Sequence, residues 1–367
     1  MIQVTVVAGA RPNFMKVAPL IEALGRRPDI FRTRLVHTGQ HYDEAMSRSF
    51  FEALGLPRPD VDLEVGSGSH AEQTGRVMIE FEKVLLNDLP DLVVVVGDVN
   101  STLACAVTAR KLGVPVAHVE AGLRSRDMEM PEEINRLCTD VLCDYLFTTD
   151  EMASDNLRRE GVDESKIHFV GNVMIDTLLK HRDMAAREPI LDDLGLQPGH
   201  YVLTTLHRPS NVDDPAILKG LVEVLLDLSS RLPVVFPVHP RTRDRIRYAG
   251  LLSTLEAADR LILLDPLGYL PFLNLIMHAG MVLTDSGGLQ EETTVLGVPC
   301  LTLRHNTERP ITCSQGTNRL VGNQPPAIRS AIDEILQGSR LAGAVPEKWD
   351  GRAAERIVEV LAGRLPG

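Results

Sequence analysis

Short apolar runs of strand length recur along the chain, separated by segments whose apolar residues fall at helical spacing. Runs at 4–7, 34–37, 92–96, 114–119, 145–147 and 167–170 come first, and after residue 172 the same grammar restarts at 201–205, 234–238, 261–264, 281–284 and 299–303. Residues 92–96 (Leu-Val-Val-Val-Val) are apolar at every position, the pattern of a strand covered by helices on both faces. Strands alternating with helices predict parallel sheets, and two successive sets predict an α/β protein of two Rossmann-like, doubly wound domains. The first is expected over 1–172, ending near Gly171-Asn172. The second is expected over 173–350, opening with a connecting helix at 173–187 and a turn at Gln197-Pro198-Gly199. Ile357, Val358, Val360 and Leu361 predict a terminal helix over 351–365.

Composition changes this picture little. A length of 367 residues suits two domains with separate cores, and 44% hydrophobic with 24% charged residues is ordinary for a soluble globular chain. The formal net charge of -12 argues against nucleic acid or an anionic membrane as partner, so cations for an anionic ligand must be locally concentrated. Five cysteines, at 105, 138, 143, 300 and 313, fit neither a disulfide framework nor a paired zinc spacing, and are expected to be reduced thiols. The chain opens directly as a strand, with no basic leader, and no apolar run reaches membrane-span length; a cytoplasmic location is expected.

Candidate chemistry sits where predicted strands end. Open α/β sheets place their ligand crevices there. In the first domain, Ala8-Gly9-Ala10-Arg11-Pro12-Asn13-Phe14-Met15-Lys16 carries neither a dinucleotide glycine pattern nor a P-loop, yet sets Arg11 and Lys16 around a helix start, which suits phosphate. The 92–96 strand delivers Asp98, with Asn100 or Ser101 available to cap the next helix in its place. The third strand end is the richest: His118-Val119-Glu120-Ala121-Gly122-Leu123-Arg124 runs into Pro131-Glu132-Glu133-Ile134-Asn135-Arg136, where proline opens a helix.

In the second domain, His207 follows the 201–205 strand and His239 the 234–238 strand, pointing to a crevice edge. Thr284-Asp285-Ser286-Gly287-Gly288-Leu289-Gln290-Glu291-Glu292 has serine and paired glycines at a helix start, leaving backbone N–H groups for a diphosphate, with a glutamate within reach of a ribose diol. Phe272 offers an aromatic face for a base, or a core side chain.

Together these motifs, with Thr307-Glu308-Arg309-Pro310 and the closing Asp350-Gly351-Arg352 stretch, resemble the non-hydrolysing UDP-N-acetylglucosamine 2-epimerases across nearly the whole chain. The resemblance implies a glycosyltransferase-B-type fold, its two domains facing across a cleft, with 351–367 packing back on the first. It implies anti elimination of UDP from UDP-GlcNAc to 2-acetamidoglucal, then re-addition of UDP with the carbon 2 proton on the opposite face, giving UDP-ManNAc. Asp98, Glu120 and Glu132 would be the acid/base set and His207 would act near the leaving diphosphate. Arg11, Lys16, Arg136, Ser286, Gly287 and Gly288 would surround the phosphates, Glu292 would hold the ribose, Phe272 would stack on uracil, and His239 would contact substrate. Glu133 is left the helix-start role. No cofactor or metal is implied, and a homodimer serving cell-envelope polysaccharide synthesis is.

Departures from the family pattern are local. Gln40, Arg208 and His239 match a second UDP-GlcNAc site that activates many bacterial members, but Asp43 and the 66–69 stretch do not. A rival substrate such as UDP-2,3-diacetamido-glucuronate would need Arg124 or Arg126 for its carboxylate. A hydrolysing cousin would carry a different sequence at 118–122, and a glycosyltransferase of the same fold would need no carbon 2 chemistry.

Overall fold

The computed structural model describes residues 1–9, 11–39, 54–338 and 343–365, apart from the side chains of Arg11 and Pro12. Among them, chain contacts divide the molecule into two units: Met1–Lys180 together with the segment from Glu347 onward, and His181–Pro346.

The first unit is a parallel sheet of seven strands in the order β3-β2-β1-β4-β5-β6-β7. These are β1 (Ile2–Ala8), β2 (Phe31–His37), β3 (Val61–Asp62), β4 (Leu92–Val96), β5 (Val116–Ala121), β6 (Tyr145–Thr148) and β7 (Ile167–Phe169). The second is a parallel sheet of six, β10-β9-β8-β11-β12-β13. It comprises β8 (Val202–Thr205), β9 (Val234–Pro237), β10 (Leu261–Leu264), β11 (Met281–Thr284), β12 (Cys300–Thr302) and β13 (Asn318–Leu320). Both orders reverse direction once, between β1 and β4 and between β8 and β11. At those points the connecting helices leave on opposite faces and a crevice opens at the strand carboxyl ends.

The continuous apolar runs have a direct structural cause. On β9 and β11, Val234, Phe236, Met281 and Leu283 join the core on one face, while Val235 and Val282 join the core on the other. Alternate side chains feed two helix layers, so both faces of these strands are apolar up to their carboxyl ends. Each large chain so buried stabilises the fold by about 1.5–3 kcal/mol.

Two strands lay outside the sequence expectation. β3 and β13 are sheet-edge strands of two and three residues, and their sequences, Val61-Asp62 and Asn318-Arg319-Leu320, contain no apolar run.

The helix Ala353–Arg364 belongs to the first unit. Asp176 accepts from the N–H groups of Ala353 and Ala354 at 3.1 and 2.8 Å, capping it, and Trp349 Nε1 donates to the Thr149 carbonyl at 3.0 Å. Gly171, at φ +96°, lies so close beneath this segment that a Cβ would fall 2.1 Å from the Lys348 carbonyl oxygen. Among the described residues no helix is long and apolar enough to cross a membrane. All five cysteines are free; Cys105, Cys143 and Cys300 are buried, and Cys138 is exposed.

Candidate active site

At the switch point of the first sheet, three strand ends meet. The backbone turns after β4 at Gly97, φ +70°, a left-handed conformation that suits glycine. There a side chain would crowd Lys16 Nζ (3.3 Å), Asn13 Nδ2 (3.4 Å) and Glu120 Oε2 (3.5 Å) from its Cβ. Glu120 breaks the register of β5 against β6 and takes φ +71°. For a residue with a side chain this is a strained conformation, of a kind that collects at functional sites. Its carboxylate is 3% exposed as a residue, Oε2 is bonded to Lys16 Nζ, and Oε1 has no hydrogen-bond partner among the described residues. A buried carboxylate with one oxygen held by a cation and the other bonded to no donor among the described residues has the geometry of a positioned proton acceptor.

The helix Pro131–Leu142 supplies the surrounding charge. Arg136, 1% exposed, donates from NH1 to Asp98 Oδ2 at 2.5 Å and from Nε and NH2 to Glu133 Oε2 at 2.9 and 2.6 Å. Asn135 Nδ2 holds the Asp98 carbonyl at 2.9 Å. Glu133 does more than start a helix: it also accepts from the backbone of Ser125 and Arg126 at 2.9 and 2.8 Å, folding the 122–130 loop onto this helix. Burial raises its carboxyl, and the Ser125 N–H, Arg136 and the Arg126 N–H outweigh burial and keep it ionised. Glu132 is partly buried in the first turn of the same helix. The expected cap after Asp98 is absent: Val99 is the N-cap residue and no side chain caps the helix Asn100–Lys111, because Asn100 instead bonds Gln73 and Asn135 and Ser101 bonds Thr38.

In the second unit, β8 and β11 are neighbours at the switch point and bring His207 to Asp285. Asp285 is fully buried; it accepts from His207 Nδ1 at 2.8 Å, from the His207 and Arg208 N–H groups at 3.0 and 2.9 Å, and from Asn211 Nδ2 at 3.2 Å. Burial raises this carboxyl, but the His207 ring and those N–H groups outweigh it, holding Asp285 below the ordinary carboxylate range. With Nδ1–H committed to Asp285, the Nε2 face of a half-exposed His207 is left to act. The His239 ring lies 6.3 Å away, and its Nδ1 accepts from Arg241 N at the start of the helix Pro240–Tyr248.

Ser286 begins the helix Gly287–Leu296 with no side-chain cap, so first-turn N–H groups are available to an anion. A side chain at Gly287 would displace charged groups: a Cβ would come within 2.6 Å of both Arg309 NH1 and Glu308 Oε1. Those side chains belong to a buried chain of charges, with Arg309 on Glu291 at 2.8 Å and Arg304 on Glu308 at 2.8 Å. Glu292 lies beside Tyr269, whose hydroxyl is 3.5 Å from Oε1. Burial, with the nearby Glu291 charge, pushes Glu292 up to about 8. Phe272 is partly buried at the edge of one core and offers only part of its ring.

Glu292 gives the first prediction. Its value is about 8 when folded and near 4.5 when unfolded, so the folded state holds an extra proton between those pH values. Stability therefore falls as pH rises through that window, on the order of 1 kcal/mol per pH unit. Glu292→Gln is expected to remove that slope, its melting temperature gaining on the wild type from pH 5 to pH 9; parallel curves would contradict the buried, protonated state.

Of the residues expected from sequence, Lys16, Asp98, Glu120 and Arg136 fall together in the first unit, and His207, His239, Ser286, Gly287 and Gly288 follow the carboxyl ends of the neighbouring strands β9, β8 and β11 in the second. Lys16 is spent on Glu120, and Arg136 on Asp98 and Glu133. Gln40, Asp43 and the Arg11 side chain lie outside the described residues. Sequence reasoning missed Asp285; an aspartate directly after an apolar run was its only signal.

A model of the family described as UDP-N-acetylglucosamine 2-epimerase matches residues 22–362. The chain is 42% identical to the UDP-N-acetylglucosamine 2-epimerase of Methanocaldococcus jannaschii, over 98% of both chains. It is 43% identical to the UDP-2,3-diacetamido-2,3-dideoxy-D-glucuronate 2-epimerase of Pseudomonas aeruginosa, over 98% of this chain and 99% of that one. The crystal structure of the Methanocaldococcus jannaschii UDP-GlcNAc 2-epimerase in complex with UDP-GlcNAc and UDP is similar at a TM-score of 0.91, 42% identity, and coverage of 98% of this chain and 99% of that one. Sequence, strand order and strand-end chemistry agree, and the chain belongs to the UDP-N-acetylglucosamine 2-epimerase family.

Proposed function

We propose that the chain interconverts UDP-GlcNAc and UDP-ManNAc. A carboxylate removes the carbon 2 proton as the bond from carbon 1 to UDP breaks, giving 2-acetamidoglucal and UDP. UDP then re-adds at carbon 1 while a second acid delivers a proton to the opposite face of carbon 2. The observation that carries this is Glu120: buried, strained, paired to Lys16 through one oxygen and open at the other. An acid shift of this kind needs a positioned base and a second acid, and Asp98 and Glu132 are the candidates for the latter. The uncapped helix start at Ser286–Gly288 suits the diphosphate, Glu292 the ribose and Phe272 the uracil, while His207, oriented by Asp285, stabilises charge on departing UDP.

A second substrate reading has a specific observation behind it, the 43% identity to an epimerase of a diacetamido-glucuronate. Arg124 is unavailable for that carboxylate, being buried between Asp140 and Glu160 at 2.7 and 2.6 Å. Arg126 is the exposed alternative, bonded to Asn156 at 2.9 Å. Comparing kcat/KM for the two nucleotide sugars decides: the proposal expects UDP-GlcNAc to be preferred, and a preference for the glucuronate would replace it.

The proposal includes a homodimer. Ile79 and Leu86 on the helix His70–Asn87, and Ile134 and Val141 on the helix Pro131–Leu142, are exposed on the two helices that flank Asn100–Lys111. Light scattering is expected to give twice the chain mass of 40.3 kDa; a monomer mass would contradict it.

A further inference from the structure

We infer that His118 and Asp140 are positioning residues for this reaction, a buried pair that fixes the backbone on both sides of Glu120 and beneath Asp98. The inference rests on the epimerase reading above. Both side chains are inaccessible, at 0% and 2% exposure, so neither meets a substrate. His118 Nε2 donates to the Gly97 carbonyl at 2.8 Å, and since a carbonyl can only accept, that nitrogen carries hydrogen. His118 Nδ1 lies 2.6 Å from Asp140 Oδ1. The other oxygen of Asp140 accepts from the Gly122 N–H at 3.1 Å and from Arg124 NH1 at 2.7 Å.

These contacts grip the places where the chain is most distorted. Gly97 (φ +70°) immediately precedes Asp98, Gly122 (φ +79°) follows Glu120 by two residues, and His118 precedes it by two. Glu120 itself, at φ +71°, stays strained only while its surroundings over-determine it. Gly122 has no freedom to drift, since its Cβ position lies 2.3 Å from the Ala153 carbonyl oxygen. Asp140 sits on the helix that also carries Glu132 and Arg136. All three proposed acids therefore hang on segments that meet at one buried hydrogen-bonded pair. Burial raises the Asp140 carboxyl, and His118 and Arg124 outweigh it, keeping it an anion that accepts from His118, Gly122 and Arg124 at once. Glu160, its side chain one-third exposed, pairs with Arg124 from the side away from Asp140.

A pair that only stabilised the core would change melting temperature and leave the chemical step alone. The test compares wild type with Asp140→Asn, His118→Leu, His118→Gln and the control Glu160→Gln, measuring epimerisation kinetics with UDP-GlcNAc, UDP affinity by calorimetry and melting temperature. Asp140→Asn and His118→Leu are expected to lose about 10²-fold in kcat, the scale of a small misplacement of reacting groups, with KM and the UDP Kd nearly unchanged. His118→Gln restores an N–H aimed at the Gly97 carbonyl and is expected to recover at least about tenfold of that loss. Glu160→Gln is expected to lower melting temperature alone. Unchanged kcat in Asp140→Asn and His118→Leu, or no recovery by glutamine over leucine, overturns the inference. So does failure of both positions to yield folded variants, which would make the pair a core element only. If the wild type itself fails to epimerise while binding UDP, the epimerase reading falls instead.

Discussion

Glu120→Gln is expected to lower turnover of UDP-GlcNAc by about 10²–10⁴-fold, the contribution of a positioned acid or base, while the UDP Kd stays near wild type. The substitution changes one atom type in a buried site, so the backbone at φ +71° and the packing are retained while the proton acceptor is lost. Lys16 Nζ then faces an amide and keeps an uncompensated buried charge, which adds a loss of stability of about 3–5 kcal/mol. UDP binding is the internal control, because the helix start, Glu292 and Phe272 all belong to the second unit. Asp98→Asn and Glu132→Gln are expected to show losses of the same order, measured by single-turnover kinetics and direct titration with UDP. Wild-type turnover in all three variants would remove the acid-base assignment; a parallel loss of UDP affinity would show a disrupted fold in its place.

The second large effect is expected at a residue that sequence motifs did not single out. Asp285→Asn should reduce kcat by about 10²–10⁴-fold, as in other His-carboxylate pairs whose orienting acid is neutralised. An amide in this position can no longer fix the Nδ1–H form of His207, and it loses the negative charge that the His207 and Arg208 N–H groups now share. Because Asp285 would act through His207, the two losses should not add. In a double-mutant cycle with His207→Asn, the second substitution is expected to cost little after the first. Additive losses would mean that Asp285 serves only to hold the backbone after β8.

The way Asp285 was missed shows what sequence can carry. The strand ends that carry chemistry were legible because a doubly covered parallel strand is mostly apolar and a charged or titratable residue at its carboxyl end stands out, as at Asp98, Glu120 and His207. The order of strands is not written in any single run. His207 and Asp285 are 78 residues apart, and only the reversal between β8 and β11 makes them hydrogen-bonded neighbours. Burial by tertiary packing hid other roles. Glu132 and Glu133 are equal as helix-start acids, but the 122–130 loop folds onto one of them, making Glu133 a clamp for Ser125, Arg126 and Arg136. The cations expected around phosphate, Lys16 and Arg136, are drawn onto carboxylates of their own unit, a pairing fixed by the β5 bulge and the helix after it. The edge strands β3 and β13 were invisible because two or three residues beside solvent leave no hydrophobic signature.

The claim at the centre is that the carbon 2 proton leaves and returns. NMR of UDP-GlcNAc with the purified chain in deuterated water tests it most directly, reporting epimer, isotope and any hydrolysis in one sample. The expected result is UDP-ManNAc accumulating to equilibrium with deuterium at carbon 2 of both epimers; epimerisation without deuterium uptake, or transfer or hydrolysis of the sugar in its place, would contradict it.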